Sequence, residues 1–211
     1  MNKLSLGIII LAAGEASRMG QAKQLLTLQD KTLLEICVQK ASDLQPASIT
    51  IVLGAHFNKT QAEAQRLQQR YSGQPINWVE NPQWATGMGS SIRAGVQKTL
   101  QVLPQATQIL ILLADQPLIQ TSQLQALLEV SQTCHLAIIA SKYGESFGVP
   151  AVFDQSLFEE LLQLNEKAGA KKVMKKHQTQ MRLVALPEAA FDMDTPEEYE
   201  VIKQKVEGER K

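Results

Sequence analysis

Residues 6–24 read LGIIILAAGEASRMGQAKQ. The run Leu6–Ala12 has the length and the β-branched content of a buried strand. Gly14 and Gly20 follow it, and both permit positive φ and close backbone approach, so that successive amide groups can point at an anion. The stretch lacks the GxGxxG pattern and the GKS or GKT ending of two known phosphate motifs. It nevertheless predicts a strand followed by a turn that suits a phosphate group.

Two basic residues accompany these glycines. Arg18 adds a forked donor and Lys23 a compact positive charge beside the turn. The alternative interpretation is an ordinary glycine-rich turn with solvated basic side chains, and two glycines alone would favour that alternative. Whether this is a phosphate-binding turn or an ordinary turn therefore depends on which side chains follow the other predicted strands.

Apolar runs of strand length recur along the chain and alternate with segments of helical periodicity. This alternation predicts an α/β fold in which helices cover both faces of a parallel sheet, built as a single domain over residues 1–211. The run ILILLA is apolar without alternation, as expected of a central strand. The predicted strands are Leu6–Ala12, Ile49–Gly54, Ile76–Val79, Ile109–Ala114, Leu136–Ala140 and Met181–Leu186.

The composition excludes several classes of partner. The 211 residues include 21 basic and 21 acidic side chains, so no net positive field exists to hold a nucleic acid or an anionic membrane surface. No segment approaches the ~20 apolar residues of a membrane span, and the N-terminal apolar run is short for a signal peptide. Cys37 and Cys134 form no CxxC pair, which favours reduced thiols. We expect a cytoplasmic protein with small-molecule substrates.

In a parallel sheet, ligands bind outside the carboxyl ends of the strands, so the residues directly after each apolar run are informative. Asp115 follows ILILLA, where an aspartate is costly unless it is paired or binds a cation. Asp192 and Asp194 lie in FDMDTPEEY, where Asp194 also fits a helix cap. Two carboxylates that face a triphosphate would hold Mg²⁺. A phosphate loop combined with such carboxylates indicates phosphoryl or nucleotidyl transfer.

These segments together resemble the MobA-like nucleotidyltransferase family. The resemblance is carried by LAAGEASRMGQAKQLL, NPQWATGMGSSI, DQP, FGVP and DMDTPEEY, and it spans nearly the whole chain. Within the family, the chain is most similar to the molybdenum cofactor cytidylyltransferases. The resemblance implies a Rossmann-like three-layer α/β sandwich with a mostly parallel central sheet.

The activity that the resemblance implies is a Mg²⁺-dependent nucleotidyl transfer. Such enzymes transfer CMP from CTP to molybdopterin, release pyrophosphate and give molybdopterin cytosine dinucleotide. That dinucleotide is the cofactor of the xanthine dehydrogenase class, so the resemblance also implies a molybdenum hydroxylase as the client.

The resemblance further implies roles for individual residues. The residues implied in nucleotide binding are Leu11, Ala12, Ala13, Gly14, Arg18, Lys23, Gly87, Ser90 and Ser91. Those implied in catalysis are Arg18, Lys23 and Asp115, and those implied in Mg²⁺ binding are Asp115 and Asp194, with Asp192 as the other choice for the second carboxylate. The acceptor would contact Gly148, Pro150 and Lys171, with Gly148–Pro150 forming a turn.

One departure from the family pattern concerns the acceptor. Relatives commonly have GAR where this chain has GAK, at Gly169–Lys171. Lysine keeps the positive charge but loses the bidentate fork of arginine, so phosphate contacts on the acceptor side differ from the family pattern.

Three alternative functions remain open. A guanylyltransferase of the same family would use GTP, but such enzymes typically have two glycines where this chain has Ala12 and Ala13, whose methyl groups we expect to favour cytosine. Sugar-phosphate nucleotidyltransferases and the cytidylyltransferase of isoprenoid synthesis usually have proline before the loop lysine, where this chain has Ala22. A non-catalytic nucleotide- or cofactor-binding accessory of a molybdenum hydroxylase is the third, and the presence of Lys23 and Asp115 argues against it.

Overall fold

The computed structural model describes residues 5–15, 20, 22–193 and 195–208, and the side chains of residues 207 and 208 are not among those described. Arg18 and Asp194, both expected in the site, therefore lie outside the described residues. No helix of the described part of the chain combines the length and apolar content needed to cross a membrane.

The centre of the described structure is a seven-stranded sheet with the strand order β5-β4-β1-β6-β8-β7-β9. Four of its six neighbouring pairs of strands are parallel and two are antiparallel: β5, β4, β1 and β6 are mutually parallel, β7 and β9 are parallel, and β8 runs against both of its neighbours. The mostly parallel sheet is thus confirmed. The strands, in chain order, are β1 (Leu6–Ala12), β2 (Thr27–Leu28), β3 (Lys31–Thr32), β4 (Ser48–Leu53), β5 (Ile76–Glu80), β6 (Gln108–Leu113), β7 (Ile138–Tyr143), β8 (Ser146–Asp154) and β9 (Met181–Ala185), of which β2 and β3 form a separate hairpin.

Helices cover both faces of this sheet. One apolar cluster joins it to α1, α2 and α4, and a second cluster on the other face joins it to α3, α5 and α6. The three-layer arrangement is therefore confirmed. The helices are α1 (Leu33–Asp43), α2 (Phe57–Arg70), α3 (Met88–Val102), α4 (Thr121–Thr133), α5 (Phe158–Leu162), α6 (Ala170–Lys176) and α7 (Pro196–Gly208).

Strand β1 shows why the opening run of the sequence is apolar without alternation. Ile8 and Ile10 pack into the first cluster, whereas Ile9 and Leu11 pack into the second. Because successive side chains of a strand point to opposite faces, a strand with helices on both sides needs apolar residues at every position. β1 is such a strand, lying between β4 and β6.

Strand β8 was not among the predicted strands, and the expected Gly148–Pro150 turn is wrong. The turn lies earlier, between the end of β7 at Tyr143 and the start of β8 at Ser146, where Gly144 has φ of +53°. The register between β7 and β8 shifts after Ala140, so that Val149 and Pro150 form a bulge. Proline is tolerated in a strand at such an irregularity because no ladder hydrogen bond from its nitrogen is needed there.

The reversed direction of β8 has a consequence for the site. Because β8 is antiparallel to both β6 and β7, the latter two run in the same direction. The carboxyl ends of β1, β4, β6 and β7 therefore lie at one edge of the sheet, and the turn between β7 and β8 lies at that same edge.

Candidate active site

A cleft opens at this edge of the sheet, with an empty volume of about 960 Å³. It lies beyond the carboxyl ends of β1 and β6, where ligands of parallel sheets bind. Its walls come from the loop after β1, the loop after β6, the start of α3 and the segment before α7. The lining residues are Leu11, Ala12, Ala13, Gly14, Lys23, Gln24, Trp84, Gly87, Met88, Ser91, Leu113, Ala114, Asp115 and Asp192.

At the end of β1 and the start of the loop after it, the carbonyl groups of Ala12, Ala13 and Gly14 point away from the cleft and into the protein. The carbonyl oxygens of Ala12 and Gly14 accept hydrogen bonds from the Gln24 side chain, and that of Ala13 accepts from the amide of Ala55. Within the described structure, no acceptor is hydrogen-bonded to the amide groups of Ala13 or Gly14. Successive amide donors without acceptors are the usual backbone arrangement for an anion.

The two loop glycines differ in conformation. Gly20 has φ of +65°, as its place in the predicted turn suggests, whereas Gly14 is not in the positive φ region. Of the two glycines that permit positive φ, only Gly20 therefore adopts it. A Cβ atom built at Gly14 would meet nothing within 4 Å, so this position keeps open space beside the loop.

Lys23 and Asp115 form an ion pair in the cleft, between the Lys23 Nζ atom and the Asp115 Oδ2 atom. Lys23 starts a short 3-10 helix, Lys23–Leu25, and Asp115 follows β6. Their side chains are only 13% and 17% exposed. The second carboxylate oxygen of Asp115, Oδ1, is buried and has no hydrogen-bond partner. An unsatisfied buried carboxylate oxygen is costly, so this atom is well suited to a cation.

The carboxylates of the cleft fit a divalent metal ion that is shared with a substrate. Asp192 lines the cleft with Asp115, and its Oδ1 atom accepts a hydrogen bond of 2.9 Å from the Gln116 side chain. In the part of the chain that the structure describes, no cluster of three or more His, Cys, Asp or Glu side chains could hold a metal ion by itself. Mg²⁺ is commonly held by one or two carboxylates together with substrate phosphates, and these residues match that pattern.

The start of α3 contributes Gly87 and Ser91 to the cleft, but Ser90 does not line it. The Ser90 hydroxyl instead donates to the carbonyls of Gln83 and Gly87, at 3.0 and 2.8 Å. The buried side-chain amide of Asn81 donates to the hydroxyl oxygens of both Ser90 and Ser91, at 2.8 and 3.0 Å. Asn81 thus fixes the first turn of α3, and the Asn-Pro pair directly after β5 was the sequence signal for such a capping role.

The 164–169 loop packs on the same turn of α3. The Gly89 amide donates to the Glu166 carbonyl at 2.9 Å, and the Arg93 guanidinium donates to the Leu164 carbonyl. A Cβ atom at Gly89 would lie 2.1 Å from the Asn165 carbonyl oxygen, so only glycine allows this approach. The loop is thereby held beside the cleft.

The residues expected to bind the acceptor do not line the cleft. Gly148 lies near the start of β8, and Lys171 donates a hydrogen bond of 2.6 Å from Nζ to the Ser146 hydroxyl while its Nζ lies 5.3 Å from the centroid of the Phe147 ring. Gly148 thus lies at the end of β8 that faces the ligand edge of the sheet, and Lys171, in α6, contacts that end. Pro150 lies further along the strand and lines a separate apolar cavity.

That cavity also contains Cys37 and Lys40. Burial raises the pKa of the Cys37 thiol to about 12, with a smaller opposing effect of Lys40. Burial likewise lowers the pKa of the Lys40 ammonium, whose Nζ donates to the Pro117 carbonyl at 2.7 Å. A thiol with a raised pKa is a poor nucleophile, so this cavity offers no second reactive centre.

Five lining residues were not among the predicted site residues: Gln24, Trp84, Met88, Leu113 and Ala114. Leu113 and Ala114 directly precede the predicted Asp115. Gln24 directly follows the predicted lysine, and Trp84 and Met88 flank the predicted Gly87, so proximity in sequence was the available signal. Their roles depend on side-chain directions that the sequence pattern does not specify.

The chain is similar to part of one longer protein and to nearly the whole of a protein of similar length. The chain is 37% identical over 128 residues to the bifunctional protein GlmU of Xanthomonas campestris. The aligned region covers 59% of this chain and 26% of GlmU. The chain thus spans about a quarter of the length of that relative. It is 27% identical over 209 residues to the purine catabolism protein PucB of Bacillus subtilis, covering 93% of this chain and 95% of PucB.

Among solved structures, the fold is similar to Rv0371c of Mycobacterium tuberculosis, with a TM-score of 0.75, 26% identity and coverage of 96% of this chain and 99% of that one. A manganese complex of Rv0371c gives a TM-score of 0.68 at 26% identity, covering 95% of this chain and 98% of that one. The model of the MobA-like NTP transferase domain matches residues 8–181, which include the loop after β1, the start of α3 and Asp115. The chain therefore belongs to the MobA-like NTP transferase family.

Proposed function

We propose that the protein transfers CMP from CTP to molybdopterin, with release of pyrophosphate. The observation that carries this proposal is the ion pair of Lys23 and Asp115 beside the amides of Ala13 and Gly14, which have no hydrogen-bond acceptor among the described residues. A cation, a carboxylate with one unsatisfied oxygen and amide donors in one cleft are the groups that a metal-bound triphosphate needs.

In the proposed reaction, a phosphate oxygen of the acceptor attacks the α-phosphorus of CTP. The bond from that phosphorus to the bridging oxygen of the β-phosphate breaks, and pyrophosphate leaves with the bonding electrons. The attacking phosphate is already ionised at neutral pH, so no general base is required. Catalysis then consists of positioning and charge neutralisation.

Each group in the cleft has a part in this reaction. The amides of Ala13 and Gly14 orient the triphosphate, and the ammonium of Lys23 stabilises the charge that grows on the leaving pyrophosphate. Arg18 is proposed to share that role. Asp115 would hold Mg²⁺, with Asp192 or Asp194 as the second carboxylate, and the ion would supply charge neutralisation at the phosphates.

The preference for CTP over GTP is proposed from Ala12 and Ala13. Both residues line the cleft, where their backbone is proposed to meet the base. Their side chains are only 2% and 5% exposed, and they pack into the two apolar clusters of the sheet. The methyl groups therefore act on base choice chiefly by fixing the position of the backbone. Gly87 and Ser91 are proposed to contact the base or ribose from the opposite wall.

The acceptor is proposed to approach from the β7–β8 turn, where Gly148 and Lys171 lie at the ligand edge. The Lys171 ammonium would attract an anionic acceptor as a point charge, without the bidentate geometry of an arginine. Pro150 lines the separate cavity, so it is proposed to influence the acceptor site only indirectly, by shaping the backbone of β8. A molybdenum hydroxylase is the proposed client. PucB is named as a purine catabolism protein, and this name is consistent with a client that oxidises purines.

The experiment that tests this function is incubation of the protein with each of four NTPs, Mg²⁺ and molybdopterin, with products identified by mass. We expect molybdopterin cytosine dinucleotide and pyrophosphate from CTP. A guanine dinucleotide from GTP would support the guanylyltransferase instead. Tight nucleotide binding without pyrophosphate release from any NTP would support the accessory role.

A further inference from the structure

Gln24 is a buried polar residue in the wall of the cleft that the proposed reaction does not yet use. It directly follows Lys23 in the 3-10 helix Lys23–Leu25 and is 2% exposed. Its Nε2 atom donates hydrogen bonds of 2.8 Å to the Ala12 carbonyl and 2.9 Å to the Gly14 carbonyl. One side chain thus joins two carbonyl groups of the predicted phosphate loop.

The orientation of the Gln24 amide follows from these two bonds. An NH₂ group has two hydrogens, and here each faces a carbonyl oxygen. The opposite orientation would place the Gln24 carbonyl oxygen against two other acceptors. Oε1 must therefore point elsewhere, and it is buried with no hydrogen-bond partner.

This unsatisfied oxygen distinguishes a functional role from a purely structural one. A buried acceptor without a donor destabilises the folded state, and an apolar side chain of similar length would avoid that cost. The benefit of the glutamine lies in its two donors. They turn the carbonyls of Ala12 and Gly14 away from the cleft, while the Ala55 amide holds that of Ala13.

We propose that Gln24 is the positioning residue of the triphosphate site. By holding the flanking carbonyls, it keeps the negative ends of these peptide dipoles away from the bound phosphates and leaves the amides of Ala13 and Gly14 available. The same 3-10 helix that presents Lys23 to Asp115 thus also fixes the loop. This inference rests on the proposed function only in that the ligand is a nucleoside triphosphate; the acceptor does not enter it.

The first test is the variant Gln24→Met, which keeps the length of the side chain but removes both donors. Binding of Mg²⁺-CTP, inorganic triphosphate and cytidine is measured by calorimetry without an acceptor. We expect affinity for CTP and for inorganic triphosphate to fall about 10- to 100-fold, the size typical when a residue that orients a binding group is lost. Cytidine affinity and Tm should stay close to the wild-type values. Gln65→Met, at an exposed position of α2, is the matched control and should change none of these values.

The second test uses Gln24→Glu and pH. A carboxylate would place two acceptors against the Ala12 and Gly14 carbonyls, so triphosphate binding at pH 8 should be weaker than in Gln24→Met. Protonation restores one O–H donor. The affinity of Gln24→Glu relative to wild type should therefore recover as the pH falls towards 6, whereas that of Gln24→Met should not. A merely structural role does not produce this difference.

The outcomes separate this inference from the proposed function. Unchanged triphosphate binding in Gln24→Met, or an equal loss of cytidine and triphosphate binding, would overturn the positioning role. If the wild-type protein binds triphosphates with the expected dependence on Gln24 but makes no cytosine dinucleotide, the positioning role stands and the proposed transfer is wrong.

Discussion

The Lys23 ammonium and the Asp115 carboxylate neutralise each other across the cleft, although the two residues belong to different elements. Both are proposed to change partners when a metal-bound triphosphate enters: the lysine to the phosphates and the carboxylate to the metal ion. Until then, each prevents the other from being a nearly buried, uncompensated charge. The pair thus keeps a highly charged site stable in the absence of its ligand.

Asp115→Asn should abolish most Mg²⁺-dependent turnover while leaving the fold intact. The side chain keeps its shape but loses the charge that would hold the ion, and loss of such a group typically costs about 10²- to 10³-fold in rate. Pyrophosphate release and far-ultraviolet circular dichroism are the measurements. Near-normal turnover in the variant would show that the metal lies elsewhere.

Lys23→Met should lower kcat more than it weakens nucleotide binding. The charge on the leaving pyrophosphate grows towards the transition state, so the lysine contributes more there than in the ground state. Steady-state kinetics give kcat, and calorimetry gives the Kd for CTP. The interpretation fails if Kd rises while kcat stays unchanged, because the lysine would then act in binding alone.

The double variant Ala12→Gly, Ala13→Gly should narrow the preference for CTP over GTP. One methyl group in a pocket is worth about 1–3 kcal/mol, but these two are nearly buried, so we expect a change of about tenfold in the ratio of kcat/KM values. Both substitutions also increase the freedom of the unfolded chain, so Tm should fall. Wild-type preference for GTP, or an unaltered ratio, contradicts this explanation of base choice.

Trp84 should report ligand binding through its fluorescence, and Trp78 supplies an internal control. Trp84 lines the cleft, whereas Trp78 lies 6.1 Å from Phe57, measured between ring centroids, and does not line it. Adding Mg²⁺-CTP should change the emission of the wild-type protein and of Trp78→Phe, but not that of Trp84→Phe. A response that survives in Trp84→Phe and disappears in Trp78→Phe would place the ligand outside this cleft.

The stability of the protein should depend on Glu160 in acid. The hydrogen bond of 2.8 Å between His177 Nε2 and Glu160 Oε2 lowers the pKa of this carboxyl from its ordinary value of 4.5, against a smaller opposing effect of burial and with help from Lys176. A lowered folded-state pKa contributes stability that is fully present above the unfolded pKa and is lost as the pH falls through the folded pKa. We therefore expect Tm to decrease below about pH 4.5.

The matched variants for this effect lie on one helix, α5. Glu160→Gln should flatten the dependence of Tm on pH in the acid range. Glu159→Gln should retain the wild-type slope, since the Glu159 carboxylate accepts from the Gln163 amide at 3.2 Å and pairs with no cation among the described residues. Equal slopes in wild type and Glu160→Gln would show that the ion pair contributes nothing measurable.

The sequence was most informative where burial constrains residues strongly. Strand β1 and the central strand β6 could be predicted because a strand buried on both faces must be apolar throughout. Asp115 could be predicted as a site residue because an aspartate at the end of such a strand needs a partner. Its partner Lys23 was also identified, but their mutual ion pair was not, since nothing in the spacing shows which groups meet before a ligand binds.

The errors have local causes. Strand β8 was missed because Gly148 and Pro150 normally interrupt strands, and the bulge that accommodates Pro150 depends on pairing with β7. Ser90 was assigned to the ligand because it opens α3, yet it is held by Asn81 and by backbone carbonyls. Whether a polar side chain bonds to other protein groups or to a ligand depends on tertiary contacts, which a single sequence does not specify.

The contact between α3 and the 164–169 loop depends mainly on where the loop places its backbone carbonyl groups, and much less on the side chains of the loop. The Gly89 amide and the Arg93 guanidinium both bind carbonyl oxygens of the loop, and the missing side chain of Gly89 admits a third. Substitutions at Lys167 that preserve this path should therefore leave the contact intact, whereas any side chain at position 89 would clash with the loop backbone. The sequence of the 164–169 loop can consequently vary without disturbing the groups that are proposed to bind the triphosphate.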